Sequence, residues 1–303
     1  MTPTGRVAGG GCLRHFLLYS ECLSPHLLIR IAQGFTMTAA TLSDLETHLR
    51  RLVAGGVCLA YSGGVDSMLL LALLVRLKRQ SDFSLAALLF HSCFQTKEEL
   101  ETAQTDARAL GVEPVVIPFQ PLAITGLNQN PENRCYLCKR KIFTDARQFA
   151  TTAGLKHLLD GTNADDMRVY RPGRQALTEL GVLSPLAELG ITKATIRQWT
   201  RDMALPAAEY PANACLATRF PYNATLTEAK LARVRDGEAF LRTLGLKTLR
   251  LRSQDDIARI EVLADDFAQI LLHREAIVSK LTSLGFRYVT LDLAGFRSGS
   301  MDW

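Results

Sequence analysis

Three groups of residues in this 303-residue chain have types and spacings that could do chemistry. The first is Ser62-Gly63-Gly64-Val65-Asp66-Ser67, set between apolar runs over residues 57–60 and 68–77. A buried strand, an abrupt Ser-Gly-Gly turn and a helix would aim backbone N–H groups and a helix N-terminus at a phosphate. The two glycines let the backbone turn sharply and approach a ligand closely, having no Cβ in the way. Asp66 and Ser67 could cap the helix or hold Mg²⁺. A Walker loop ends Gly-Lys-Ser/Thr and a dinucleotide fingerprint has a third spaced glycine, so the letters here exclude both. The bland alternative is a turn that only joins a strand to a helix.

The second group is the cysteines. Arg134-Cys135-Tyr136-Leu137-Cys138-Lys139 is a C-x-x-C step just before an expected helix, and Cys215 lies in Ala214-Cys215-Leu216-Ala217-Thr218-Arg219. A C-x-x-C alone fits a zinc half-site, a redox pair or an iron–sulfur half-site. Structural zinc wants four ligands, and no second C-x-x-C or nearby Cys/His pair supplies them. Three thiolates suit a four-iron cluster with one iron open; packing is the alternative. Cys58 and Cys93, in or beside apolar strand runs, read as core residues. The third group, Asp160-Gly161-Thr162-Asn163-Ala164-Asp165-Asp166, follows an expected strand and is either a ligand-binding loop or an Asp/Asn/Gly-rich turn.

These groups need a scaffold. The periodicity predicts a leading helix after Thr41, strands near residues 56–61, 84–91, 112–119 and 155–160, and helices over 65–79, 98–110, 139–152 and 192–203. Such alternation argues for an α/β fold, a doubly wound parallel sheet with its ligand at the carboxyl ends of the strands. Residues 168–185 read as a loop or broken helix, and 205–221 as irregular. After Pro221 a helix over 226–244, strands at 248–253 and 258–263 joined by a turn at Gln254-Asp255-Asp256, a helix over 265–284 and a strand at 287–293 make a small α+β domain. The domains are expected at 37–222 and 223–303. Residues 1–36 match neither a clean signal peptide nor a domain start, and are expected to be a disordered or misannotated extension.

Composition sets bounds. Hydrophobic residues make up 48% of the chain, enough for two sizeable cores, and no apolar run reaches the roughly 20 residues of a membrane span. The net charge of +5 is spread along the chain, so it suits anionic small ligands and implies no nucleic acid. Seven irregularly spaced cysteines do not make a disulfide framework in a chain this long, which points to a soluble protein of a reducing cytoplasm.

Ser62–Ser67 resembles the pyrophosphate (PP) loop of the ATP pyrophosphatases, whose members cut ATP to AMP and pyrophosphate. The span from about Met37 to Met301 resembles the LarE family, ATP-dependent sulfur transferases that build the nickel-pincer nucleotide cofactor of lactate racemase. The resemblance rests on that loop, on residues 130–139, on 159–166, on Tyr170-Arg171-Pro172-Gly173 and on 214–219. It also rests on Leu249-Arg250-Leu251-Arg252, on Ala258-Arg259-Ile260-Glu261 and on residues 291–300. It implies an adenine nucleotide alpha hydrolase fold and ATP with Mg²⁺ held by Ser62, Gly63, Gly64, Val65, Asp66, Ser67, Asp160, Gly161 and Asn163. A carboxylate of the pyridinium-dicarboxylate mononucleotide would be adenylylated, and sulfur would then displace AMP. Family members with only the cysteine matching Cys215 resemble single-turnover proteins that sacrifice it. Members that also match Cys135 and Cys138 look like iron–sulfur enzymes, and this chain has all three, favouring a [4Fe-4S] cluster.

Other roles follow the resemblance. Lys139 would stabilise the adenylate or leaving phosphate, or be a solvated lysine. Arg250 and Arg252, on one face of a strand, would hold the substrate phosphate, with a surface salt-bridge face as rival, and Arg297 is a further contact. Glu238 and Glu261 would bind a divalent ion at a subunit contact, or be ordinary surface acids. His91 would lie near the adenine or act as a polar cap. The expected partners are a small nucleotide substrate, enzymes of the cofactor pathway and copies of the same chain. A tRNA thiolase, which would need a large basic groove, and a regulatory protein that only senses ATP are the alternatives.

Overall fold

The computed structural model describes residues 40–168, 173–210 and 214–297. The expected extension at 1–36, the Tyr170-Arg171-Pro172 part of one motif and the Ser298-Gly299-Ser300 tail lie outside them. All described residues belong to one compact unit, Ala40–Trp303.

The first helix, α1 (Leu42–Leu52), opens with a capping box in which Thr41 and Asp44 satisfy each other's backbone N–H groups. The strands β1 (Val57–Ala60), β2 (Leu85–His91), β3 (Val115–Pro118) and β4 (His157–Leu159) form a wholly parallel sheet in the order β3-β2-β1-β4. β1 is central, Leu59 pairing with Ala87 on one side and Leu159 on the other. Helix α2 (Val65–Lys78) follows β1, and its Leu-rich run has no polar face because Met68 through Leu74 are all buried. Helix α3 (Lys97–Ala109) crosses from β2 to β3 behind a second capping box, Thr96 with Glu99.

Helix α4 (Arg134–Thr152) starts five residues earlier than the expected Lys139. Cys135 and Cys138 therefore lie inside its first turns at i and i+3, on one helix face, rather than ahead of it. Pro131 makes the early start possible, its carbonyl accepting the Arg134 N–H at 3.0 Å. The broken stretch after β4 contains three short helices, α5 (Ala164–Arg168), α6 (Gly173–Glu179) and α7 (Pro185–Glu188), and then α8 (Lys193–Asp202) capped by Thr192.

Downstream, α9 (Glu228–Thr243) packs on a second sheet of β5 (Leu249–Gln254), β6 (Ile257–Val262) and β7 (Tyr288–Leu291). The β5–β6 hairpin turns through Asp255 at φ 50, and β6 pairs with β7 in parallel. The approach of α9 to β5 depends on Gly237, where a Cβ would stand 2.3 Å from Leu251 Cδ2. The single helix expected over 265–284 is two, α10 (Phe267–Leu272) and α11 (Arg274–Ser283), because His273 leaves helical geometry at φ −99, ψ 15. Phe94, Leu127 and Leu216 belong to the same core as Leu231, Leu251 and Leu281, so packing is continuous across residue 222. Among the described residues no helix is long and apolar enough to cross a membrane.

Candidate active site

The strand order reverses at β1 and β4, and the first and third groups of candidate residues leave the carboxyl ends of those two strands. Gly63 has φ 74, and a Cβ there would meet the Ala103 Cβ at 2.6 Å, so both the turn and its fit against α3 require glycine. Gly64 is the extended N-cap of α2. The Ser67 hydroxyl accepts the Ser62 N–H at 3.2 Å and donates to the Gly64 carbonyl at 3.0 Å, which locks the loop. Val65 is buried at the start of α2. Gly161 lets the β4 loop lie against the first, since a Cβ there would be 3.1 Å from both Asp66 Cβ and Ser67 N.

The two loops meet at Asp66. Its Oδ1 accepts from Asn163 Nδ2 at 3.2 Å, and its Oδ2 pairs with the Lys193 ammonium at the start of α8. Lys193 was not among the residues the sequence singled out; its only signal there is a Thr-Lys pair at a helix start. Asp160 is buried, and its carboxylate accepts from Thr162 Oγ1 at 2.5 Å and Ser184 Oγ at 2.6 Å. It braces the loop from beneath.

Cys135, Cys138 and Cys215 gather close enough for their sulfurs to act on one another. Cys135 and Cys215 are exposed and Cys138 is half-buried. Burial, followed by the neighbouring Cys215 and Cys135 sulfurs, pushes the Cys138 thiol up to about 12. Desolvation of its sulfur also raises the Cys215 thiol, with Cys135 adding to the effect, although the residue as a whole is exposed. Thiols that resist ionisation together would ionise readily around a cationic centre. Among the described residues no three His, Cys, Asp or Glu side chains converge tightly enough to hold one metal ion. The donor set nevertheless suits a four-iron cluster, whose irons sit at separate corners and take one thiolate each.

Cys93 is half-buried and packs against the second core, as expected. It lies beyond the end of β2, and the next residue, Phe94, accepts the Leu216 N–H at 3.0 Å, so Cys93 and Cys215 precede a hydrogen-bonded pair. Cys58 is fully buried in β1, where desolvation pushes its thiol up to about 12. His91 and Cys93 line a cavity of about 200 Å³ with Lys97, Arg235 and Asp236.

The turn carrying Cys215 is held from three directions. Asn130, fully buried at φ 48, donates its Nδ2 to the carbonyls of Ala217, Phe220 and Pro221, tying this turn to the loop ahead of α4. Arg219 Nη1 donates to the Ala214 carbonyl at 2.9 Å while its Nε meets Glu238 Oε1 at 2.7 Å. Arg252 donates to the Thr218 carbonyl and pairs through Nε with Glu261 Oε1 at 3.0 Å. Asn130 lay inside a motif, but only its structure gives it this role.

These contacts correct three readings. Glu238 and Glu261 are not surface acids: they are 1% and 0% exposed. Each already neutralises arginines, Arg219 and Arg242 for Glu238, Arg252 and Arg259 for Glu261, so neither offers an open carboxylate to a divalent ion. Arg250 and Arg252 do share one face of β5, but that face is buried, which removes the surface salt-bridge rival. Arg252 is committed to Glu261 and Thr218. Arg250 makes no ion pair among the described residues; it stacks over Phe296 at 4.7 Å and donates to the Arg297 carbonyl at 3.3 Å. Burial, then the charges of Arg252 and Arg219, lower its pKa, against the opposing pull of Glu261 and Glu238. The Arg297 residue is exposed. Lys139 runs across Gly173, whose Cβ would stand 2.7 Å from Lys139 Cδ.

No family model matches the chain. It is 39% identical over 246 residues to an uncharacterized protein of Synechocystis, covering 80% of this chain and 91% of that one. An uncharacterized protein of Methanocaldococcus jannaschii is 29% identical over 242 residues, covering 80% and 91%. Pyridinium-3,5-bisthiocarboxylic acid mononucleotide synthase of Lactiplantibacillus plantarum is 34% identical over 266 residues, covering 86% of this chain and 96% of the synthase. Near-complete alignment with that synthase shows that the chain belongs to its family, LarE.

Proposed function

We propose that the protein is an ATP-dependent sulfur transferase that converts the carboxylates of pyridinium-3,5-dicarboxylate mononucleotide to thiocarboxylates for the nickel-pincer nucleotide cofactor. Family membership supports an enzyme of sulfur transfer. What supports the finer reading is that one chain carries both a phosphate-type loop at Ser62–Ser67, whose turn requires Gly63, and three cysteines, Cys135, Cys138 and Cys215, whose sulfurs neighbour one another.

In this reading the loop N–H groups and the start of α2 hold the phosphates of ATP, and Asp66 holds Mg²⁺. A substrate carboxylate oxygen attacks the α-phosphorus, and the bond to the bridging oxygen of pyrophosphate breaks, with its electron pair leaving on pyrophosphate. The acyl-adenylate then loses AMP to sulfur; AMP leaves far more readily than oxide. Arg250 binds the phosphate of the mononucleotide, and Lys139 steadies the adenylate. Cys135, Cys138 and Cys215 would hold the [4Fe-4S] cluster, which supplies a sulfide for transfer. Asn130, Arg219 and Arg252 keep the Cys215 turn in place while nucleotide and substrate exchange. Association into a homo-oligomer and location in the cytoplasm belong to the same proposal.

The test is anaerobic reconstitution followed by turnover. The protein should bind iron and sulfide in about equal amounts and release pyrophosphate when ATP and the dicarboxylate mononucleotide are both present. Retention of full multiple turnover by Cys135→Ala would overturn the cluster reading. Pyrophosphate release with tRNA in place of the mononucleotide would overturn the substrate.

A further inference from the structure

The Asp66–Lys193 pair gives the nucleotide site a residue that the foregoing reading does not use. We propose that Lys193 is a catalytic residue of adenylylation: with no nucleotide bound it occupies the cation position at Asp66, and when Mg²⁺·ATP takes that position it moves onto the leaving pyrophosphate. This rests on the reading of Ser62–Ser67 as an ATP site.

The geometry argues for a movable charge on a fixed base. The Lys193 backbone is pinned, its N–H donating to Asp165 Oδ2 at 2.8 Å and the preceding Thr192 capping α8 through Thr195. Asp165 is itself fixed to the β4 loop, its N–H donating to Asn163 Oδ1 at 2.9 Å. The side chain crosses from α8 to the first turn of α2, and both ends stay in reach of solvent, with side-chain exposures of 34% for Lys193 and 20% for Asp66. The pair stands at the Ser62–Ser67 turn, where the phosphates would enter on the ATP reading. Asn163 remains on Oδ1, so Asp66 keeps its orientation when the ammonium leaves Oδ2.

The chemistry gives such a lysine work. Without nucleotide it neutralises a carboxylate that makes no other ion pair among the described residues. Mg²⁺ usually binds through one or two carboxylates plus substrate phosphates, so Asp66 is freed for the metal only when ATP arrives. The displaced ammonium, on four flexible methylenes, can then donate to the β- and γ-oxygens as the α–β bridge breaks. Stabilisation that grows with charge on the leaving group lowers the barrier rather than tightening the ground state.

The test compares the wild type with Lys193→Met and Lys193→Arg in two assays, Mn²⁺ binding without nucleotide and pyrophosphate release. Removing the competing ammonium should strengthen Mn²⁺ binding by about tenfold in Lys193→Met, within the usual range of coupling between two ligands. The same variant should lose about a hundredfold or more in kcat for pyrophosphate release. Lys193→Arg keeps the charge, so it should retain weak Mn²⁺ binding and part of the activity; it also carries the test if the methionine variant fails to fold. A merely structural lysine would weaken both properties together, or neither would move, and either result overturns the proposal. If the wild type releases no pyrophosphate with the mononucleotide, the ATP reading fails. Mn²⁺ binding then still decides whether Lys193 holds a cation position.

Discussion

Arg219 and Glu238 meet as a two-pronged buried pair, Nε to Oε1 at 2.7 Å and Nη2 to Oε2 at 3.2 Å. Glu238 Oε1 also accepts the Leu251 N–H at 3.0 Å, so one carboxylate on α9 joins the Cys215 turn to β5. Removing one partner of such a pair leaves an uncompensated buried charge, which costs about 3–5 kcal/mol. Glu238→Gln should therefore lower the unfolding free energy measured by urea titration by an amount near the bottom of that range, since the amide oxygen can still accept a hydrogen bond. Sulfur transfer should fall more than pyrophosphate release, because the pair holds the Cys215 turn and does not touch the phosphate loop. Equal loss of both would show that the pair only stabilises the fold.

Gly63 gives a sharper test of the loop. Gly63→Ala adds a Cβ 2.6 Å from the Ala103 Cβ at a φ of 74, so pyrophosphate release should be abolished and the melting temperature should fall. Adding Ala103→Gly removes one of the two obstacles, the steric one. The double variant should recover stability in part and remain slow, because the strained φ persists. Full activity in the single variant would mean that the loop does not bind phosphate in this conformation.

The sheet and its loop were legible because their signals are local. Strand, Ser-Gly-Gly turn and apolar helix lie within twenty-two residues, Val57–Ala60 and Val65–Lys78. The C-x-x-C was legible as a metal or redox step, but its helical setting was not, since Arg134 through Lys139 gives no apolar period and Asn133 makes no side-chain cap. The burial of Arg252 and Glu261 was hidden for a different reason: in sequence, alternating charges on a strand look solvated, and only the pairing of β5 with β6 shows that these two neutralise each other inside. Lys193 and Asp66 lie 127 residues apart, a separation no spacing rule spans.

The pH dependence of stability should carry a term from His157. Desolvation, then the charges of Lys156 and Arg147, lowers its pKa below 6.5, so the folded state holds it neutral where the unfolded chain takes up a proton. For a group depressed in this way, stability is complete above 6.5 and declines as pH falls through that value toward the folded pKa. Urea midpoints measured at about pH 7.5 and about pH 5.5 should differ less for His157→Gln than for the wild type. Identical slopes would mean that His157 protonates freely in β4.

Thiol labelling should separate the cysteines by location. Cys58 is fully buried and its thiol is pushed up to about 12, so both access and ionisation oppose its alkylation. The thiolate is the nucleophile, and an exposed thiol needs no unfolding to reach it. With native apo protein at neutral pH and limiting iodoacetamide, peptide mass spectrometry should find Cys135 labelled first among the described cysteines. Cys138, half-buried and raised to about 12, should label later, and Cys58 only after denaturation. If Cys135, Cys138 and Cys215 together hold a cluster, reconstitution should protect all three and leave the rate at Cys93 little changed. Protection of Cys93 to the same extent would place its sulfur among the ligands, beside the Cys215 turn that Phe94 already contacts.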